Sequence, residues 1–185
     1  MRLIGTTKEL AICAGFGALI VVVQLLAGSV IYTVTQVPAA ATLISSFILA
    51  YIAIIPLLLI RKTDAALATL LTMSVISAPL SVFGPPGLPK IIQFIPVIAA
   101  IELILIISNW KKAGYIIAIP AASAIALPMH YYFLALIGFP GAELLRKYLL
   151  LFMAIVMMES LLGAWLGLIT YEKKLKNLKV VKQLQ

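Results

Sequence analysis

The sequence predicts an all-α integral membrane protein, built as a bundle of six transmembrane helices. Hydrophobic residues make up 64% of the 185 residues and charged residues only 11%. The mean hydropathy is +1.18, and no water-soluble domain has such a composition. The apolar residues fall into six stretches of roughly 20 residues, the length that crosses a bilayer as a helix. Connections that are rich in Lys and Arg also alternate with connections that contain few of them, which is typical of an even number of spans.

The six spans leave almost no chain for a soluble domain, so we expect a single transmembrane domain. In order, the spans cover residues 10–33, 42–60, 65–82, 91–108, 114–137 and 148–170, followed by a basic tail over 171–185. Charged or Pro/Gly-rich segments separate them, because neither type of segment continues an apolar helix through lipid. We do not expect the first span to be a cleaved signal peptide, since it is longer than an h-region and further spans follow it.

The distribution of basic residues predicts the orientation. Eleven of the 14 Lys and Arg lie in the amino terminus, the second and fourth connections and the tail. The opposite side has only Lys90, Arg146 and Lys147. Because cytoplasmic loops carry the excess of basic residues, both termini are predicted in the cytoplasm of a cell-membrane protein. This topology explains the net charge of +8, which therefore gives no indication of nucleic-acid binding.

The connections differ between the two sides. The cytoplasmic ones, 61–64 and 109–113, are short and charged, whereas the outer ones, 34–41, 83–90 and 138–147, are longer and richer in Pro, Gly and polar residues. The outer loops are either a lid over an outward-facing site or simply longer connections. The tail has five lysines and one glutamate, and we expect it to extend the sixth span and anchor it against anionic lipid.

The first span has two distinct faces when its residues are placed on a helix. One face carries a strip of small residues near the amino-terminal end: Ala11, Ala14, Gly15 and Ala18. The roughly opposite face carries Gln24 together with Gly17 and Gly28. We expect the small-residue strip to contact another protein and the Gln24 face to line a binding cavity.

Polar side chains within the spans are the candidate site residues, because each one needs a partner or water in a membrane. The candidates gather in the predicted outer half of the bilayer: Gln24, Gln36, Gln93, His130, Tyr131 and Glu159. Each has a structural alternative, such as a hydrogen bond between helices for Gln24 or an interfacial position for Tyr131. Glu102 lies in the inner half, on the opposite face from Gln93, and is assigned to interhelix pairing or to a partner contact.

The sequence lacks the motifs that several classes of function require. The chain has no GxxxxGK[ST] loop, no GxSxG and no HExxH, and it has one histidine and one cysteine, Cys13. Hydrolase triads, cysteine metal sites and disulfides are therefore excluded, and we expect neither enzymatic activity nor a cofactor. No internal repeat is convincing, which disfavours an inverted-repeat transporter.

The first span, Lys8-Glu9-Leu10-Ala11-Ile12-Cys13-Ala14-Gly15-Phe16-Gly17-Ala18-Leu19, resembles that of the substrate-binding (S) components of energy-coupling factor transporters. Those proteins also have six spans in fewer than 200 residues. In that family a small-residue strip on helix one packs on a transmembrane T component, which connects to two ATPases. The resemblance implies that role for Ala14 with Ala18 and for Ala11 with Gly15.

The same resemblance implies a vitamin site in the outer half, covered by the first outer loop and lined by helices four to six. Ligand contacts are then expected at Gln36, Gln93, His130 and Glu159. The nickel and cobalt members need a histidine-bearing amino-terminal segment. The first residues here contain no histidine, so an organic substrate is expected.

Two other functions stay open at this point. The chain is alternatively a self-sufficient secondary transporter or channel-like homo-oligomer, with Glu159 as a proton carrier, or an assembly protein without a ligand. The charge of the substrate also stays open. Lys90, Arg146 and Lys147 at the predicted outer mouth favour a carboxylate, whereas Glu159 and the tyrosines favour a cationic aromatic compound.

Overall fold

The computed structural model describes residues 3–35, 38–80, 87–138, 142–178 and 181, and these residues contain helices and no strands. The helices are α1 (Thr7–Thr35), α2 (Pro38–Ile60), α3 (Ala65–Ser77), α4 (Leu88–Ile107), α5 (Lys112–Leu136), α6 (Ala142–Lys147) and α7 (Leu149–Thr170). The predicted all-α class is confirmed.

Four segments of the described chain are long and apolar enough to cross a bilayer: Thr7–Ile31, Leu88–Ile107, Lys112–Leu136 and Leu149–Leu175. The protein is therefore a multi-pass membrane protein. The other two apolar helices, Ile44–Ile60 and α3, are shorter. With 13 residues α3 is about 20 Å long, less than the ~30 Å of the hydrocarbon core. The count of six spans and the orientation stay predictions.

The end of the third helix and the connection 138–147 differ from the sequence prediction. The third helix ends at Ser77, whereas the predicted span continues to residue 82. The outer connection 138–147 contains the short helix α6, where the sequence predicts a loop. The tail extends α7 by a π-helical turn, Tyr171–Leu175, in which the N–H of Lys176 donates to the carbonyl oxygen of Tyr171 at 2.8 Å.

The six longer helices form a closed ring in the order α1, α2, α7, α5, α4, α3 and back to α1. The contact between α2 and α7 is the most extensive. It depends on Gly163 and Gly167, because a Cβ on either residue would overlap α2, at the carbonyl oxygen of Phe47 and the side chain of Ile54 respectively. Small residues four apart let two helices approach backbone to backbone in lipid, where apolar surface gains nothing by helix association.

The first helix contacts α3 in the same way. A Cβ on Gly17 would overlap the carbonyl oxygen of Thr69, so only glycine allows this distance between the two backbones. The sequence pattern places Gly17 with Gln24 on the cavity face. In the structure Gly17 packs against α3 about two turns before Gln24.

Ionic contacts connect the segments that the topology places in the cytoplasm. Thr6 and Glu9 form a capping box: the Glu9 N–H donates to Thr6 Oγ1 at 3.2 Å, and the Thr6 N–H donates to Glu9 Oε2 at 3.3 Å. Glu9 also pairs with Lys62, which joins the start of α1 to the connection after α2. Lys112 pairs with Glu172, which joins the start of α5 to the end of α7.

We predict that Gly163→Leu destabilises the protein, because the added side chain must separate α7 from α2. Overpacking of this kind costs about 1–3 kcal/mol. Thermal unfolding of the purified protein in lipid nanodiscs measures the effect. Gly15→Leu is the matched control, since a Cβ at Gly15 meets nothing within 4 Å. Equal stability of the two variants would contradict the close packing of α7 on α2.

Candidate ligand-binding cavity

A cavity of about 150 Å³ lies inside the ring of helices, and all six of the longer helices contribute to its wall. Its lining comes mainly from the later parts of α1, α3 and α5 and the earlier parts of α2, α4 and α7. In an antiparallel bundle these parts share the end opposite the amino terminus, which is the predicted outer half. Much of the wall is apolar, and the polar groups that line it are few: Gln24, Ser45, Ser46, Ser77, Lys90, Gln93, Ser123 and His130.

One face of α4 supplies five of the residues that line this wall. Its lining residues recur at helical spacing, namely Lys90, Gln93, Phe94, Val97 and Ile101. The two polar residues come first in the chain, so they lie toward the end of the bundle, and the apolar ones lie deeper. The cavity is therefore polar toward the predicted outer end and apolar toward the centre of the bundle.

Lys90 is the most unusual of the lining residues, because its side chain is only 1% exposed. Its ammonium donates to the carbonyl oxygen of Ser77 at 2.9 Å and to that of Leu80. The Ser77 carbonyl is at the carboxyl-terminal end of α3, where the last carbonyl groups give a helix a partial negative charge, and Leu80 lies three residues beyond that end. The sequence predicts Lys90 in a loop at the outer mouth, whereas the structure places it inside the bundle.

His130 and Gln93 meet across the cavity wall between α5 and α4. The Nδ1 atom of His130 lies 3.3 Å from Oε1 of Gln93. In this arrangement the Nδ1–H group donates and the amide oxygen accepts. Gln93 is buried, with 5% of its surface exposed.

Gln24 reaches from α1 to the start of α2. Its Nε2 donates to Oγ of Ser45 at 2.8 Å and to the Ser45 carbonyl oxygen at 3.0 Å. The two interpretations of Gln24 are thus both present in the structure, because the residue makes a hydrogen bond between helices and also lines the cavity. A similar bond joins α5 to α7, where the hydroxyl oxygens of Ser123 and Ser160 are 3.0 Å apart.

The other predicted site residues lie elsewhere. Tyr131 is half-buried and does not line the cavity, although it is next to His130. Glu159 is also outside the lining, and its Oε2 is buried without a hydrogen-bond partner among the described residues. Gln36 lies outside the described residues. Glu102 accepts a hydrogen bond from the N–H of Leu67 at 3.2 Å, so it joins α4 to the first turn of α3.

The cavity also contains residues that the sequence pattern does not single out as site residues. Ser45, Ser77 and Lys90 all line it. Serines are common in membrane helices and give no signal of their own. Lys90 does offer a signal, because it precedes Gln93 by three residues and Phe94 by four, which places all three on one helical face.

The small-residue strip of α1 faces away from the ring. Ala11 and Gly15 are exposed and Ala14 and Ala18 are partly exposed, whereas Cys13, Gly17 and Ile20 between them are buried. The helix surface at Gly15 is open, because a Cβ added there would have no neighbouring atom within 4 Å. The described part of the chain thus leaves the strip free for contact with lipid or with another protein.

No group of three His, Cys, Asp or Glu side chains that could hold a metal ion occurs in residues 3–35, 38–80, 87–138, 142–178 and 181. Comparison with known proteins found no matching family model, no matching curated protein and no matching solved structure. The features that bear on function are therefore the cavity and the exposed surface of α1.

Proposed function

We propose that this protein is the membrane-embedded substrate-binding subunit of an energy-coupling factor transporter in the cell membrane. It binds a small organic micronutrient, a vitamin or a precursor, from the outer side. A transmembrane T component with two ATPases then drives uptake. The observation that carries the proposal is the cavity of about 150 Å³ within the ring of helices, polar at one end and apolar at the other.

The form of the cavity supports a binding protein for a small organic molecule. Ligand sites are concave and mostly apolar, with a few polar groups that orient the ligand. Here Gln24, Gln93 and His130 reach one cavity from three different helices. A cavity of this volume holds a benzene-sized molecule. A ligand of one ring therefore fits without rearrangement.

The exposed strip on α1 supports a partner that supplies energy. The sequence contains no GxxxxGK[ST] loop, so an ATP-driven process needs another subunit. Small residues let a foreign helix approach closely in lipid, and the strip of Ala11, Ala14, Gly15 and Ala18 is open to such an approach. In the proposed topology this strip lies in the cytoplasmic half, on the side of the ATPases.

A bound small molecule is expected in gently purified protein, where native mass spectrometry detects it. Ala126→Phe should weaken its binding roughly tenfold or more, because Ala126 lines the cavity and overlap of this size costs about 1–3 kcal/mol. Ala135→Phe on the exposed side of the same helix is the control and should keep the ligand. Retention of the same ligand by Ala126→Phe would show that it binds elsewhere.

The coupling surface is tested on α1. Ala14→Trp combined with Ala18→Trp should abolish cellular uptake and co-purification of the T component while leaving ligand binding intact, because both indoles obstruct a close helix contact. The matched control is Met158→Trp with Leu162→Trp, a pair with the same spacing on α7, where both residues are exposed. Normal uptake by the Ala14/Ala18 variant would exclude the strip as the coupling surface.

Glu159 favours a second candidate function, that of a proton-coupled transporter without partners. Its Oε2 is buried and has no hydrogen-bond partner among the described residues. A carboxyl group within a membrane must be protonated, paired or hydrated, and groups in that position often carry protons in transporters.

Liposomes that contain only this protein separate the two functions. The proposed subunit role predicts no uptake of its ligand when a pH gradient is the sole source of energy. Flux under that gradient, abolished by Glu159→Gln, would establish the second function and overturn the first. An ionophore that removes the gradient is the control for leakage.

A further inference from the structure

We propose that the cavity binds a small organic anion, a compound of one ring with a carboxylate that accepts hydrogen bonds from the ammonium of Lys90. This inference rests on the proposed function, because it names the substrate class of the same cavity. It also decides between the anionic and cationic substrates that the sequence leaves open.

Lys90 has no counter-charge in the described part of the chain. All six acidic residues of the chain belong to the described ranges, and none of them pairs with Lys90. The ion pairs among the described residues are those of Lys62 with Glu9 and of Lys112 with Glu172. Among the described residues, the positive charge of this lysine, which is 1% exposed, is therefore balanced only by carbonyl dipoles.

A lysine at this position is also able to extend its ammonium group toward the water at the membrane surface. Lys90 is the third residue of α4, close to the end of the bundle. Lysines near the ends of membrane helices usually extend their ammonium groups into the interfacial water. Lys90 instead turns inward to Ser77 and Leu80, although an unpaired buried charge is costly. A bound anion offsets that cost, and the carbonyls hold the ammonium in place while the cavity is empty.

The ammonium of Lys90 keeps hydrogen-bond capacity for a ligand. An ammonium group has three N–H donors, and the carbonyl oxygens of Ser77 and Leu80 take two of them. The third has no acceptor among the described residues. The side-chain amide of Gln93, one turn further along the same face of α4, adds N–H donors beside it. Donors that converge in this way suit a carboxylate, which only accepts.

The remaining wall suits the body of such a ligand. Phe94, Val97 and Leu127 line the apolar part of the cavity. The volume of about 150 Å³ is sufficient for one ring. A cationic aromatic ligand is disfavoured, because it would bring a second positive charge next to Lys90, and Glu159 does not line the cavity.

Pairs of compounds that share a ring and differ in charge test this preference. The probes are benzoate with benzamide, and cyclohexanecarboxylate with cyclohexanecarboxamide. Each is titrated into the purified full chain in nanodiscs, and the dissociation constant is measured by calorimetry or by ligand-detected NMR. We expect at least one carboxylate to bind roughly tenfold or more tightly than its amide, as a hydrogen bond to a charged group predicts.

Two lysine variants test whether Lys90 is responsible for the preference for a carboxylate over its amide. Lys90→Met should abolish the advantage of the carboxylate. Lys147→Met should preserve it, because Lys147 is exposed and lies over the ring of Tyr148. This substitution removes the same charge from the same predicted side of the membrane, so it is the matched control. If Lys90→Met does not fold, Ala126→Phe replaces it: the obstructed cavity should lose the carboxylate in a protein whose Lys90 is unchanged.

The possible outcomes separate this inference from the proposed function. If neither carboxylate binds more tightly than its amide and Ala126→Phe abolishes the binding of all probes, the inference about charge is wrong while the cavity remains a binding site. If the preference survives Lys90→Met, Lys90 is not the anion contact and the inference is also wrong. If no probe binds at millimolar concentration, the inference of a one-ring carboxylate is overturned, and native mass spectrometry and uptake decide the proposed function independently.

Discussion

Direct contact between helix backbones is the constraint on which the rest of this bundle depends. In lipid, apolar side chains gain nothing by leaving their surroundings, so helices associate through close packing and interhelical hydrogen bonds. Gly163 and Gly167 bring α7 against α2, and Gly17 brings α1 against α3. These contacts lie in the half of the bundle that carries the amino terminus. The ring is therefore tight at one end, and the cavity lies toward the other, between larger side chains.

The polar groups around the cavity also hold its wall together. Gln24 joins α1 to α2, Ser123 joins α5 to α7, and His130 joins α5 to α4. Lys90 joins α4 to α3. A ligand that competes for any of these hydrogen bonds changes a contact that fixes the relative positions of two neighbouring helices. Binding at the cavity would thus be physically connected to helix positions, which is the property that the proposed partner on α1 would need in order to detect an occupied site.

Individual residues show how far the sequence predicts the site. Gln24, Gln93 and His130 are candidates because polar groups in lipid need partners, and all three line one cavity. Tyr131 and Glu159 are candidates for the same reason, but they lie outside the lining. Polarity and depth do not determine the direction of a side chain around its helix. Gly163 and Gly167 form a recognisable small-residue pattern, yet only the neighbouring α2 backbone shows why glycine is needed there.

The sequence by itself determined the class of the protein, the approximate positions of its apolar helices and the absence of common enzyme motifs, because hydropathy, length and residue type are local properties. Tertiary structure alone decided which helices are neighbours, where α3 ends and which polar groups share a cavity. It also shows that Lys90, which the sequence predicts in a loop at the outer mouth, lies in the interior of the bundle. The Lys90 ammonium is buried because it contacts carbonyl groups at and just beyond the carboxyl-terminal end of α3. The sequence alone does not show such a contact between two helices.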